Sequence, residues 1–264
     1  MDAYLQTNDF IGCEIKGLED KAIIEHDYAV FNEKLNAQIE INTNLNDAIS
    51  KWIHEIKLPL SAVLLMDQQI DDGNLQYKMK EQHQRINRLL NDALVSCKVQ
   101  GGFDDVCIRK EKLVDIVNAS IKNNRFFLMH EGVELSIDVS EDYYIYTDTT
   151  WLVYILDQLL ANAIKYANNN AKIEIKAIQT NIGIELSIKD YGEGIKQEDL
   201  PRIFDRGFVG TNHHNGTYKS TGLGLYMVKI MMDKLDHGIS VTSHYQHDTT
   251  FTLSFNDIAA YFNR

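Results

Sequence analysis

Across residues 21–70 apolar side chains recur at helical spacing with hardly a break. Ile24, Tyr28, Phe31, Leu35 and Ile39 are spaced 4, 3, 4, 4, and Leu45, Ile49, Trp52, Ile56, Leu60 and Val63 follow at 4, 3, 4, 4, 3. Such spacing predicts one very long helix with a heptad-like seam and an irregular step around Asn42. Asp71-Asp72-Gly73-Asn74 reads as a turn. A second helical run places Leu75, Met79, Gln82, Ile86, Leu89 and Ala93 at 4, 3, 4, 3, 4. Two long helices joined by a short turn make an antiparallel hairpin, and one hairpin cannot bury a seam of this length alone. Pairing two hairpins into a four-helix bundle would bury it, which predicts a homodimer. The alternative is a hairpin packed on its own second domain. Proline scarcity fits long helices: average usage of about 5% would give roughly 13, and the chain has only Pro59 and Pro201.

Hydrophobic residues make up 44% and charged residues 24% of the 264, enough apolar content for a packed core rather than disorder. Net charge is −12 with no basic block, which argues against direct binding to a nucleic-acid backbone. Cys13, Cys97 and Cys107 are odd in number and form no CxxC pair, so they read as reduced intracellular thiols. No apolar run approaches the roughly 18 residues of a membrane span, and Met1–Phe10 lacks a secretory signal. The expectation is a soluble chain as given, with a membrane anchor outside it left open.

Beyond Gly101-Gly102 the pattern changes. Strands are expected at 106–109, 133–139, 172–178, 182–189, 239–243 and 250–255, and helices at 111–129, 149–167 and 223–235. That irregular alternation predicts an α/β sandwich with helices over one face of a mixed sheet. The expected domains are a leader at 1–20, a hairpin at 21–100, a linker at 101–105, an α/β domain at 106–256 and a tail at 257–264.

Four patches could carry chemistry. On the long helix, at about 100° per residue, the seam from Leu45 to Val63 falls within about −20° to +60° and His54 at about 180°. His54 therefore faces away from the seam. Neutral imidazole is a nucleophile, Glu55 beside it could take the ring proton, Lys57 adds a positive charge, and Pro59 frees the carbonyl of Glu55. An ordinary exposed histidine is the bland alternative. Next, Asn162, Lys165 and Tyr166 share a helix face at i, i+3 and i+4. Their amide, ammonium and ring suit a magnesium ion, a phosphate and a base. Third, Asp190-Tyr191-Gly192-Glu193-Gly194 ends an alternating strand with a carboxylate that could accept from an exocyclic amine, and its glycines permit close approach. Last, Ser220-Thr221-Gly222-Leu223-Gly224-Leu225 opens a helix, where exposed N–H groups favour phosphate. The glycine-rich 207–219 ahead of it has the composition of a lid. Each patch alone is weak: a helix end, a turn or an N-cap explains any one of them.

In this order the patches resemble the sensor histidine kinases of bacterial two-component systems. HEIKLP (54–59) is similar to the family's H-box, DQLLANAIKY (157–166) to its N-box, DYGEG (190–194) to the G1 box, RIFDRGF (202–208) to the F-box and STGLGLYMVK (220–229) to the G2 box. The resemblance spans about residues 30–256. It implies a dimerisation and histidine-phosphotransfer hairpin, a dimeric four-helix bundle, followed by a Bergerat-type ATP-binding domain. His54 would be the phospho-acceptor and Glu55 its acid/base. Asn162 would hold Mg2+, Lys165 touch phosphate and Tyr166 pack on adenine. Asp190 would bind the adenine amine beside Gly192 and Gly194. Phe204 would dock the hairpin. Thr221, Gly222, Gly224 and Leu225 would line the phosphate end. The implied activity is ATP-dependent autophosphorylation of His54 and transfer to an aspartate of a response regulator. The WIHEIKLPLS context and the GFVGTN lid are most similar to the small bacitracin-sensing type, whose members carry two membrane helices and work beside a peptide transporter. The chain would then be the cytoplasmic part of a protein anchored in the bacterial membrane. Three positions depart from the pattern: Gln158 where many members have Asn, Leu58 where many have Thr or Asn, and Val209 where much of the family has an arginine. Arg206 or Lys219 could replace that arginine at the γ-phosphate.

Overall fold

The computed structural model describes residues 18–67, 73–100, 106–168, 171–210 and 222–256. The leader before residue 18, Asp71 and Asp72 of the expected turn, the linker 101–105, Thr221, Lys219 and the tail 257–264 lie outside the described residues. Two compact units meet between Gln84 and Arg85. Among the described residues no helix is long and apolar enough to cross a membrane.

The first unit holds helix α1 (Leu18–Asp67) and the first part of helix α2 (Gly73–Gln100). Gly73 and Asn74, expected in a turn, form the first turn of α2 instead. Helix α1 runs uninterrupted through Pro59. Its seam is split. Leu60 is buried together with Ile53, a residue outside the expected seam, while Trp52, Ile56 and Val63 stay 59%, 47% and 38% exposed. On the helical wheel Ile53 and Leu60 lie at about 80° and 60°, one edge of the stripe, and the exposed three cluster around 0°.

The second unit contains the rest of α2 and the α/β sandwich. Strand β1 (Arg109–Lys112) pairs antiparallel with β3 (Tyr144–Thr147) in a separate two-stranded sheet. The expected strand at 106–109 is therefore displaced towards the C-terminus. Cys107 N–H donates to the Asp148 carboxylate at 2.9 Å, so this stretch is tied by a side chain rather than by a ladder. Strand β3 was not foreseen, because four residues give no measurable alternation. Helix α3 (Leu113–His130) and strand β2 (Glu134–Asp138) precede it in the chain.

The main sheet has the order β2-β4-β5-β7-β6, with β4 at Lys172–Thr180, β5 at Gly183–Asp190, β6 at Gly238–His244 and β7 at Asp248–Asn256. Only β2–β4 is parallel, so the sheet is mixed, as expected. Period-2 alternation puts Ile184, Leu186 and Ile188 on one face, opposite Phe255, Leu253 and Phe251 of β7, all buried.

Helix α4 (Thr149–Lys165) covers this face with Leu152, Ile155, Leu156, Leu159, Leu160 and Ala163. Asp148 caps it by accepting from Trp151 N–H. Helix α5 (Gly224–Lys234) adds Met227, Val228, Met231 and Met232. A polar knot locks α4 to α3: the Asp157 carboxylate accepts from Ser120 Oγ at 2.6 Å and from the amides of Asn123 and Asn124 at 2.9 Å. Ser120 and Asn124 are buried, so removing their acceptor strands two donors. Asp157→Ala is expected to destabilise this unit by roughly 2–4 kcal/mol, as a lower denaturation midpoint with unchanged slope.

Candidate functional site

Helix α4 buries one stripe and turns the other towards an opening. Asn162, Lys165 and Tyr166, three and four residues apart, all line a single cavity of about 250 Å³. The helix ends at Lys165, two residues before its expected end. Tyr166 is its C-cap, donating backbone N–H to Asn162 O. The freed Tyr166 carbonyl accepts from Glu193 N–H at 3.0 Å, so the helix end is stitched to the DYGEG loop. A Cβ at Gly192 would collide with that carbonyl and approach Asp190 Oδ1 to 2.9 Å. Gly192 is thus required for this junction although it does not line the cavity. Lys165 Nζ lies 3.0 Å from Tyr166 Oη and 4.6 Å from the ring centroid.

Asp190 reaches the opposite wall by simple parity. Ile184, Leu186 and Ile188 point to the apolar face, so Asp190 points there too, and it is buried. Gly192 N–H donates to its Oδ1 at 3.1 Å. That bond does not offset desolvation, and burial pushes the Asp190 carboxyl up to about 7, with the charge of Asp248 adding to the rise. Thr249, paired with Asp190 across β5–β7, is also buried and lines the cavity. Its Oγ1 lies 3.0 Å from Ser243 Oγ, which accepts from Ile195 N–H at 2.8 Å.

At the other end Gly222, Gly224 and Leu225 bring the start of α5 to the cavity. A Cβ on Gly224 would stand 2.6 Å from Gln158 Oε1, so only glycine lets Gln158 of α4 come this close to the helix N-terminus. Gly194 joins the lining, as do Val209 and Gly210. Phe204, expected to face the hairpin, sets its ring edge-on against Phe251 at 6.5 Å. Arg206 is exposed and does not line the cavity.

Eight scattered motif residues therefore meet: Asn162, Lys165, Tyr166, Asp190, Gly194, Gly222, Gly224 and Leu225. Sequence reasoning missed Thr249, Phe251 and Asp92, which also line the cavity. Parity along β7, with Thr249 in step with Phe251 and Leu253, could have flagged the first two. Nothing local marks Asp92. His54 and Glu55 belong to the first unit, where both are exposed on α1 beside Leu58, itself 76% exposed.

A mixed sheet lies under helices, with a polar cavity between a helix end and two glycine-rich segments. Residues 147–258 match the family described as histidine kinase-, DNA gyrase B- and HSP90-like ATPase. Over most of its length the chain is a relative of bacterial sensor kinases. It is 36% identical over 219 residues to the sensor protein kinase GraS of Staphylococcus aureus (strain JH1), covering 83% of this chain and 62% of GraS. It is 34% identical over 212 residues to the sensor protein BceS of Bacillus subtilis (strain 168), covering 80% of this chain and 63% of BceS. The chain thus spans about three fifths of the length of the curated relatives it matches. Two solved structures share its fold. Full-length ShkA, crystallised in complex with AMPPNP, superposes at TM-score 0.60 with 20% identity, covering 79% of this chain and 45% of ShkA. Acinetobacter baumannii histidine kinase AdeS gives TM-score 0.53 with 21% identity, covering 77% of this chain and 97% of AdeS.

The raised Asp190 pKa has a sign that can be measured. Its folded value of about 7 lies above the unfolded value of about 3.9. Its contribution to stability is complete below the unfolded value and is lost as pH rises through the folded one. Asp190→Asn keeps an oxygen for Gly192 and removes the charge. The variant's stability advantage over the parent is expected to be roughly 2–3 kcal/mol larger at pH 8 than at pH 5. Paired denaturant melts at the two pH values check this; an advantage independent of pH contradicts the assignment.

Proposed function

We propose that this chain is the kinase core of a two-component sensor, binding ATP in the cavity, phosphorylating His54 and passing the phosphoryl group to an aspartate of a response regulator. One observation carries the reading. The amide, ammonium, phenol, buried carboxylate and helix N-terminus that the motifs supply from distant segments line one cavity. Names of the relatives support it. The division into a hairpin at 21–100 and a catalytic domain at 106–256 belongs to the same reading.

In this reading Asp190 accepts from the exocyclic amine of adenine, which adds a donor to the buried carboxylate. The Tyr166 ring packs on the base. Lys165 exchanges its contact with the Tyr166 hydroxyl for a phosphate oxygen, and the backbone N–H groups after Gly222 face phosphate at the positive end of α5. The Asn162 amide offers a hard neutral oxygen. Among the described residues no cluster of three metal-ligating side chains exists, so Mg2+ would be held by Asn162 together with the nucleotide's phosphates, and would neutralise their charge. The His54 ring nitrogen attacks the γ-phosphorus; the N–P bond forms, the bond to the bridging oxygen of ADP breaks, and the ring proton passes to Glu55. Transfer to the regulator reverses the roles, with an aspartate oxygen as nucleophile. A water-splitting ATPase is less well supported, because Gln158 is a neutral amide and cannot serve as the base.

The exposed stripe Trp52, Ile56 and Val63 supports a homodimer, in which a second hairpin covers what the first leaves open. The full protein would be held at the bacterial membrane, with its sensory part or a transporter partner outside this chain. Nucleic acid is not a partner in this reading.

Incubation with γ-labelled ATP and magnesium should label the chain at His54 in an acid-labile, base-stable form, and His54→Gln should abolish the label. Label persisting in His54→Gln refutes the assignment. Asp190→Asn should weaken ATP binding by about 10- to 100-fold in calorimetry, the worth of one charge-assisted hydrogen bond. Sedimentation should show a dimer at micromolar concentration, shifted to monomer or aggregate by Ile56→Glu; a monomeric parent chain would overturn the bundle.

A further inference from the structure

The cavity contains a carboxylate that the proposed chemistry does not use. Asp92 comes from α2, far in sequence from every motif, yet it lines the cavity together with Gln158, Asn162 and Gly224. It is held there by two side chains of α4. Tyr154 Oη donates to Asp92 Oδ1 at 2.7 Å, and Gln158 Nε2 donates to the same oxygen at 2.9 Å. Burial, with the charge of Asp92 next, drives the Tyr154 phenol far above its ordinary range, so it stays a donor at every working pH. Gln158 points its other end at α5, where only the missing Cβ of Gly224 leaves room for Oε1. The Asp92 carboxylate therefore stands one amide group away from the N-terminus of α5, the end of the cavity that favours phosphate.

We propose that Asp92 is an intramolecular latch that competes with nucleotide: docked on Tyr154 and Gln158, it places a negative charge at the phosphate end of the cavity. The polyanionic tail of ATP and the docked carboxylate carry like charge and repel each other within one cavity. Occupancy by ATP then frees Asp92, and with it the C-terminal part of α2, from α4. By linkage the coupling is reciprocal: whatever loosens this part of α2 raises ATP affinity. The Gln158 side chain is long enough for its amide nitrogen to reach Asp92 while its oxygen abuts Gly224.

This inference rests on the reading of the cavity as an ATP site, and the experiment separates the two. Calorimetric titrations of the full chain with Mg-ATP and with adenosine are compared for the parent, Asp92→Ala and Tyr154→Phe. Asp92→Ala should bind ATP about tenfold more tightly, with a much smaller gain for adenosine, which has no phosphates to repel. Tyr154→Phe removes one of two donors and should shift ATP affinity the same way by less. In the parent, ATP should accelerate amide hydrogen exchange across residues 85–100. A merely structural strut gives the opposite pattern, with affinity unchanged or lower in both variants and no change in exchange, and that result overturns the latch while leaving the ATP site standing. Failure of all three proteins to bind ATP refutes the site reading, and the latch with it.

Discussion

Everything at the cavity hangs on how α4 is seated. Its apolar stripe, Leu152 through Ala163, is buried on the sheet, and its other stripe carries Gln158, Asn162 and Lys165 to the opening. A rotation of the helix by one residue, about 100°, would bury the amide and ammonium and expose leucines. Two devices prevent it. Asp148 caps the first turn while also fixing the strand before α3 through Cys107. Asp157 gathers three donors of α3 at 2.6–2.9 Å. Fixing the helix fixes Tyr166 at its end, whose carbonyl in turn anchors the loop after Asp190. One polar knot on the back of the helix thereby holds the spacing between opposite walls of the cavity.

What could be read from sequence follows the range of the interactions involved. Asn162, Lys165 and Tyr166 were legible as a set because helical periodicity alone brings them to one face. The strands carrying Asp190 and Phe251 were legible because one buried face forces alternation, and their observed limits differ from expectation by a few residues. Tyr144–Thr147 and the shifted pairing of Arg109–Lys112 were not, since a four-residue edge pair takes its register from a partner distant in the chain. Ile53 was missed for a related reason. The seam was read as one stripe, whereas the edge with Ile53 and Leu60 is buried and Trp52, Ile56 and Val63 stay in the open. Asp92 gave no local signal, being one acid on a polar helix surface until Tyr154 and Gln158 are folded next to it.

The exposed half of that stripe constrains the first unit. In the proposed dimer, a Trp, an Ile and a Val facing water at helical spacing would be the association surface. His54 and Leu58 lie on the far side of the same helix, about 40° apart. A chain that covered its stripe with a second copy would keep that far side open. In the proposed reading Leu58, with neither donor nor acceptor, cannot hold a water against an incoming acyl phosphate, whereas Glu55, one residue from the histidine, would take the proton.

The two buried-side acids of the cavity show how surroundings divide the work of one functional group. Asp190 has backbone donors, Gly192 N–H among them, but lies buried against an apolar sheet face, and burial pushes its carboxyl up to about 7. In the proposed reading a planar amine of the ligand would add a donor to its ionised form. Asp92 has one oxygen engaged by a phenol and an amide, both from α4. In the proposed latch its charge meets the negative charge of a ligand as repulsion. One end of the cavity is built to gain from occupancy and the other to lose a contact by it. That asymmetry ties filling of the cavity to the freedom of α2, through two residues of the same helix that holds the walls apart.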